Sequence, residues 1–273
     1  MTSSLKQHVA MAALIAIIAA SPATLAAAKS APAKAAVAQK AAPAGGIPRA
    51  RDGHPDFSGI WETLSEADYD LEPHAGRRDA PPSQGVIEGG RIPYLAEALA
   101  KRKANFEHRA TDDPRLRCFA LSVPRAVYYQ APFQILQRPS SITLVHQLGN
   151  QVRDIHTDGS LHPVDDDPQL WWGDSRGHWE GDTLVVDITG FNEDTWLDRA
   201  GNYHSDKLHV VERWTFRDAN TISYSATLDD PKVYSKPWTI NIQLNRREAG
   251  FKLIEDYCFT LEYGDHYPHK DGQ

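Results

Sequence analysis

The sequence has few cysteines and none of the residue spacings that mark common metal and cofactor sites. Cys118 and Cys258 are the only two among 273 residues, which excludes a framework of several disulfides. H-x-H, H-E-x-x-H and C-x-x-C spacings, phosphate-binding glycine loops and dinucleotide fingerprints are all absent. The sequence therefore predicts no cofactor and no metal. The alternative is a metal site from scattered histidines that converge only through the fold, namely His156, His162, His178 and His204.

The chain also lacks the features of a serine hydrolase and of a nucleic-acid-binding protein. No G-x-S-x-G is present, and Ser205 beside His204 is not by itself a nucleophile arrangement. The formal net charge is -7, and no stripe of Lys or Arg with interleaved aromatics occurs. Nucleic acid is therefore not an expected partner.

The N-terminal part of the chain has the composition of a targeting segment followed by a linker. Lys6 and His8 precede an apolar run over residues 9–20, and small residues near position 28 suit cleavage, so residues 1–28 are predicted to be a signal peptide. The run is too short to span a bilayer comfortably, although a non-cleaved anchor is the alternative. Residues 29–51, rich in Ala, Pro and Lys, are predicted to be a flexible linker, and residues 52–273 a single domain.

Export would place the two cysteines in an oxidising compartment, periplasmic or extracellular, where pairing is favoured. We therefore predict a disulfide between Cys118 and Cys258. A catalytic thiol is the alternative, but no local nucleophile signature surrounds either residue.

The hydropathy pattern predicts an all-β fold with one helix. Apolar residues near helical spacing predict that helix over residues 93–108. Period-two runs separated by turn signals predict strands elsewhere. These runs cover residues 57–64, 133–137, 142–148, 151–157, 183–189, 207–217, 221–228, 238–246 and 251–261. About nine or ten strands without βαβ alternation indicate an antiparallel barrel or curled sheet, with a sandwich as the alternative.

The predicted strand over residues 207–217 has an acidic residue on its apolar face. Alternation places Glu212 with Val210 and Trp214, and His209 and Arg213 on the opposite face. A buried carboxylate is normally paired, hydrogen-bonded or protonated, and such groups concentrate at functional sites. A structural salt bridge from Glu212 to an arginine is an equally good interpretation.

Histidines, carboxylates and arginines cluster in this strand and in the loop before it. This combination suits general acid–base chemistry near neutral pH, with an arginine to hold a substrate carboxylate. We predict His204 or His209 as the acid or base, preferring His204, with Glu212 as its partner. The candidate catalytic residues are His204, Glu212, Asp198, Arg199, His209 and Arg213.

Other strands also place polar groups in phase with apolar ones, which would give a pocket with apolar walls inside a barrel. Each such residue alone is more often a hydrogen-bonded core residue than a catalytic one. The candidate ligand-binding residues are Trp196, Tyr224, His146, His156, Glu255, Tyr257 and Trp172.

Three segments carry a resemblance to a family. GHWEGDTLVVDITGF at 177–191, TWLDRAGNYHSDKLHVVERW at 195–214 and DDPKVYSKPWT at 229–239 resemble the signature of a family of exported bacterial proteins of unknown function. The similarity extends through TDGSLHP and VPR to PDFSGIW at residue 55, and departs from the family pattern around Cys118 and after Cys258. The resemblance implies one exported domain with a lipocalin-like β architecture, and it implies no reaction.

Together these features predict an exported, cofactor-free enzyme that acts on a small, partly apolar molecule by general acid–base chemistry, as a lyase, isomerase, dehydratase or hydrolase. A non-catalytic periplasmic binding protein for a hydrophobic or aromatic ligand is the alternative, as is an envelope structural protein. The oligomeric state does not follow from the sequence.

Overall fold

Nine strands close into a barrel in the computed structural model, which describes residues 46–163 and 169–258. The strands are β1 (Gly59–Thr63), β2 (Phe133–Arg138), β3 (Ser141–His146), β4 (Val152–His156), β5 (Asp174–Glu180), β6 (Thr183–Thr189), β7 (His209–Asp218), β8 (Thr221–Asp229) and β9 (Trp238–Arg246). Sequence neighbours pair in order, and β1 pairs with β9. The prediction of an all-β barrel is confirmed.

One pairing departs from the antiparallel arrangement that the sequence predicts. β4 and β5 run parallel and are joined by a single pair, His156 with Arg176, whereas all the other strand pairs are antiparallel. The connection after β4 is too long for a tight hairpin turn, so nothing forces the chain to reverse beside it. The barrel is therefore mixed.

Alternation along the strands fills the barrel interior with large apolar side chains. In β7, Val210, Glu212, Trp214 and Phe216 are buried, while Arg213 is exposed. The inward face predicted for this strand is therefore confirmed. The largest fully buried apolar side chains include Trp61, Trp214, Phe133 and Leu144.

The predicted helix over residues 93–108 is confirmed as α1 (Ala96–Glu107). Two further α-helices of four residues each, α2 (Arg109–Asp112) and α3 (Arg125–Tyr128), and a 3-10 helix over Pro114–Arg117 were not predicted. Such short turns carry no helical hydrophobic period. The 3-10 helix is instead set by Asp113, whose side chain accepts a hydrogen bond from the Arg115 amide.

The disulfide between Cys118 and Cys258 is confirmed, with 5.5 Å between the two Cα atoms. The strand predicted over residues 251–261 is wrong for residues 251–258, which form no strand apart from one isolated bridge between Leu148 and Asp256; residues 259–261 lie outside the described residues. The pairing of β1 with β9 already closes the barrel, so no edge is left for a tenth strand.

The predicted signal peptide and most of the predicted linker lie outside the described residues. The end of the linker is described: Ile47 packs against the core, and both Arg49 Nη atoms bond the Asp182 carboxylate at 2.5 and 2.7 Å. Among the described helices, none has the length and apolar character needed to cross a bilayer.

Candidate functional site

Glu212 lies inside the barrel and is paired there with an arginine. It is fully buried on β7, between Val186 of β6 and Ala226 of β8. Arg153 of β4 donates from Nη1 to Oε1 at 3.1 Å and from Nη2 to Oε2 at 2.8 Å. This bidentate pair neutralises a carboxylate that would be very costly to bury alone.

The remaining hydrogen bonds of this pair also come from the protein. Tyr224 Oη donates to Glu212 Oε1 at 2.7 Å, and Trp214 Nε1 donates to Oε2 at 3.4 Å. Ser175 Oγ accepts from Arg153 Nη2 at 3.1 Å. Burial, and then the charge of Glu212, raise the pKa of Tyr224 well above its ordinary value, so the phenol keeps its proton. Glu212 is thus the acceptor at the centre of a satisfied network.

His146 is buried near the same network. Burial, followed by the charge of Arg153, lowers the pKa of His146 to about 3, so the ring is neutral at physiological pH. Trp172 stacks on the imidazole with 5.2 Å between ring centroids. The Nε2 atom of His146 has no hydrogen-bond partner within residues 46–163 and 169–258. His146 is therefore sealed between the interior and Trp172.

The barrel interior is packed rather than hollow around these residues. A void between Phe57, Leu144 and Trp214 measures about 10 Å³, which is at most the space of one water molecule. Glu212, Arg153 and Tyr224 are at most 2% exposed. Within the part of the chain that the structure describes, the interior pocket expected from inward-facing polar residues is therefore not formed around Glu212.

The predicted loop residues Asp198 and Arg199 belong to a second buried network. Asp198 accepts hydrogen bonds from the Leu71 amide at 2.9 Å and from Asn202 Nδ2 at 2.6 Å. Burial, and then the charge of Asp70, raise the pKa of Asp198 to about 7. Arg199 Nε donates to Asp68 at 2.5 Å. This network joins the loop before β7 to the segment after β1.

His204 also lies in the loop before β7; we call this loop and the segment after β1 that it contacts the loop layer. Both ring nitrogens of His204 are hydrogen-bonded. Nε2 is 2.7 Å from Thr195 Oγ1, and Nδ1 is 3.0 Å from the Ser205 carbonyl oxygen. Burial lowers the pKa of His204 below its ordinary value. The ring is 1% exposed, so His204 does not reach over a pocket, and it does not contact Glu212.

The outer face of the barrel brings together a different set of acid–base groups. His209 on β7 and Asp187 on β6 are diagonal neighbours, and Asp187 Oδ2 lies 2.8 Å from His209 Nε2. His162, from the connection after β4, places Nε2 at 2.8 Å from Asp187 Oδ1. One carboxylate therefore bridges two imidazoles.

A second carboxylate completes this array. Asp174 Oδ2 is 2.6 Å from His162 Nδ1, and Arg176 bonds both oxygens of Asp174 at 2.6 and 2.7 Å. We call the four residues His162, Asp174, Asp187 and His209 the outer array. Burial alone would raise the pKa of Asp187, but the hydrogen bonds from His209 and then His162 outweigh burial and lower it. Asp187 is thus held as an anion.

The outer array borders a cleft of about 240 Å³. Asp174 and His209 line it directly, and Leu170, Phe191 and Leu208 supply apolar walls. Lys207 adds an ammonium group. A cleft with apolar walls and a few convergent polar groups is the usual form of a small-molecule site.

The other predicted residues lie apart from this cleft. Arg213 is on the outer face and donates to Glu180 at 2.6 Å, and His156 is exposed on β4. Trp196 is buried in the loop layer. Glu255 and Tyr257 are exposed on the irregular segment after β9 rather than turned inward, because the predicted strand does not form there.

Sequence reasoning missed Asp174 and Asp187 as site residues, and it considered His162 only for the alternative metal site. Asp187 could have been found from the alternation in its strand, which places it on the outer face of β6, as His209 is on the outer face of β7. Within the described ranges, no group of three or more His, Cys, Asp or Glu side chains has the geometry to hold a metal ion.

Comparison with known proteins returns no matching family model, no matching curated protein and no matching solved structure.

Proposed function

We propose that the protein is an enzyme that transfers a proton on a small, partly apolar molecule bound in the 240 Å³ cleft, with His209 as general base. The observation that carries the proposal is the pairing of His209 Nε2 with Asp187 at 2.8 Å beside that cleft. The proposed acid–base pair is therefore His209 with Asp187 on the outer face, in place of His204 with Glu212, which the sequence favoured.

The hydrogen bond to Asp187 supports Nδ1 of His209 as the nitrogen that takes the proton. The anionic Asp187 accepts a hydrogen bond from the N–H group at Nε2 of His209. In the tautomer that has its proton on Nε2, the Nδ1 atom keeps a free electron pair. No hydrogen bond to Nδ1 occurs among the described residues. When Nδ1 takes a proton from the substrate, the imidazolium is stabilised by the adjacent carboxylate, as in any base held by a buried or half-buried acid.

His162 and Asp174 act as positioning residues for this pair. Both ring nitrogens of His162 lie against carboxylates, at 2.6 Å from Asp174 and 2.8 Å from Asp187. His162 thus contacts Asp187 Oδ1, whereas His209 contacts Oδ2, and holds the carboxylate in place. Arg176 in turn fixes Asp174 through two bonds.

The walls of the cleft support the proposed substrate class. Leu170, Phe191 and Leu208 favour an apolar part of the molecule. Lys207 lines the same cleft and suits a carboxylate, or the negative charge that develops on a carbonyl oxygen when a neighbouring carbon loses a proton. The chemistry is that of a lyase, isomerase, dehydratase or hydrolase that needs no cofactor.

Export to the periplasm or the exterior is part of the proposal. The Cys118–Cys258 disulfide supports it, because such bonds persist in oxidising compartments. The apolar run over residues 9–20 and the resemblance to exported bacterial proteins support it as well.

The test is hydrogen exchange into candidate substrates. Small ketones, β-hydroxy acids and esters with an apolar side are incubated with the protein in D2O and followed by proton NMR. We expect deuterium incorporation or conversion by the natural protein, and a loss of about 10²- to 10⁴-fold in His209→Ala. His178→Ala is the matched control, since His178 is an outer-face histidine that does not line the cleft. Full activity in His209→Ala would refute the proposal.

A non-catalytic binding protein is the second candidate, favoured by the apolar walls of the cleft. It predicts that a ligand binds, perturbs the signals of Phe191 and Leu208, and is released unchanged. Binding that survives His209→Ala, without any turnover by the natural protein, would favour this candidate over the enzyme.

A further inference from the structure

Three arginines line an open cleft of about 440 Å³ in the loop layer, formed by residues that do not line the His209 cleft. They are Arg77, Arg78 and Arg199, and Tyr69, Pro81 and Pro82 form much of the remaining wall. We call this the arginine cleft. The proposed acid–base function does not use it.

Arg199 is fixed in one orientation at this cleft. Its Nε donates at 2.5 Å to Asp68, which is fully buried and is also bonded by Arg125 at 2.8 Å. The guanidinium carbon lies 4.5 Å from the centre of the Tyr69 ring and 5.8 Å from that of Tyr129. Stacking and the Nε bond together immobilise the plane of the group.

The Nη donors of Arg199 remain free to bind a ligand. Neither Nη atom of Arg199 has a hydrogen-bond partner among residues 46–163 and 169–258. Of the Arg199 side chain, 30% is exposed. A guanidinium whose Nη pair is free and whose plane is fixed matches the two oxygens of a carboxylate or phosphate. Little side-chain entropy remains to be lost when such a ligand binds.

The two other arginines add charge that nearby carboxylates do not fully match. Arg77 Nη1 donates to Asp70 at 3.0 Å. Its buried Nε has no hydrogen-bond partner among the described residues and forms only a longer salt bridge with Asp79, at 3.6 Å. Asp79, which also lines the cleft, is bonded by Arg109 at 2.7 Å. Arg78 is exposed and forms no salt bridge within the described part of the chain.

We infer that the arginine cleft binds the oxyanion group of a small ligand, a carboxylate or a phosphate, between Arg199, Arg77 and Arg78. Arg199 supplies the bidentate contact, and Arg78 supplies charge from the rim. Tyr69 and the two prolines would contact the uncharged part of the ligand.

The test is titration of the full chain with inorganic phosphate and, separately, with citrate, at constant ionic strength against sodium chloride. Arginine Nε–Hε signals in nitrogen-15 spectra report the binding. We expect a saturable shift of the Arg199 signal with one anion or both, and the stronger of the two identifies the oxyanion. Sodium chloride alone should produce no saturable shift.

Three variants make the result specific. Arg199→Lys keeps the charge beside Asp68 but loses the paired donors, and it should weaken binding about tenfold, followed on the signal of Arg77 because the Arg199 signal is lost. Arg78→Ala should weaken binding severalfold, and because Arg78 is exposed and unpaired among the described residues, its fold should be unaffected. Arg217→Ala, which removes an equal charge outside the cleft, should bind as the natural protein does.

Unchanged affinity in Arg78→Ala and Arg199→Lys, or the absence of any saturable shift, would overturn the inference. If Arg199→Lys has a lowered melting temperature, Arg78→Ala decides. Equal weakening in Arg217→Ala would identify a general charge effect and would also count against the site.

Discussion

Replacing Glu212 by Gln tests whether the charge inside the barrel is a structural pair. The change leaves Arg153 buried at 2% exposure with its charge no longer matched, and it weakens the acceptor for Tyr224. Removing one partner of a buried ion pair costs about 3–5 kcal/mol, because the other charge remains desolvated. We expect a loss of that size in the free energy of unfolding, measured by urea titration with tryptophan fluorescence and the disulfide intact.

The same strand provides the control. Arg213, the next residue, pairs on the outer face with Glu180, and the two side chains are 46% and 50% exposed. Arg213→Ala should cost only about 0–1 kcal/mol. The double variant Arg153→Met, Glu212→Leu should recover most of the lost stability, since no charge is then buried. Similar losses for Glu212→Gln and Arg213→Ala would refute the reasoning.

Three further outcomes are expected. The pKa of His146 is depressed to about 3 in the fold, so the stability that the neutral ring contributes is present above its unfolded pKa of about 6.5 and is lost as the pH falls towards 3. Between pH 7 and pH 4, the free energy of unfolding of His146→Phe should therefore fall by about 3 kcal/mol less than that of the natural protein. Urea titrations at the two pH values measure this, and an equal fall in both proteins would contradict it. Cys118→Ser with Cys258→Ser should lower the free energy of unfolding by up to about 4–5 kcal/mol, because the disulfide spans 140 residues; reduction of the natural protein should reproduce the loss, and an unchanged melting temperature would count against it. Gly173→Ala should cost about 1–3 kcal/mol, since φ is 62° and a Cβ atom would lie 2.8 Å from the Thr189 carbonyl oxygen; calorimetry measures it, and Gly159→Ala, at φ 79° with open space around the Cβ position, separates the clash from the backbone strain.

The sequence predicted eight of the nine described strands, because alternation is local, and it missed β5. The inward face of β7, with Glu212 beside Val210 and Trp214, follows from period two alone. α1 and the disulfide followed from helical spacing and from the presence of only two cysteines. The parallel seam between β4 and β5 was missed, because strand direction depends on which strands meet and not on the pattern within either one.

The candidate site was harder to predict because its members meet through register. The inward phase of Arg153 was readable from its strand, but its identity as the partner of Glu212 required knowing that β4 and β7 face each other across the barrel. Asp187 and His209 lie on strands separated by a long loop, and only the observed register makes them diagonal neighbours. Burial of His204 in the loop layer likewise depends on tertiary packing, to which a sequence pattern is blind.

The single bridge between His156 and Arg176 gives the two histidines of the outer array supports of unequal stiffness. Asp187 and His209 stand on β6 and β7, which are joined by six consecutive register pairs, so the two side chains move as one body. His162 follows β4, which is joined to β5 by that single pair alone. A disturbance that spreads the barrel would therefore separate β4 from β5 before it separates Asp187 from His209.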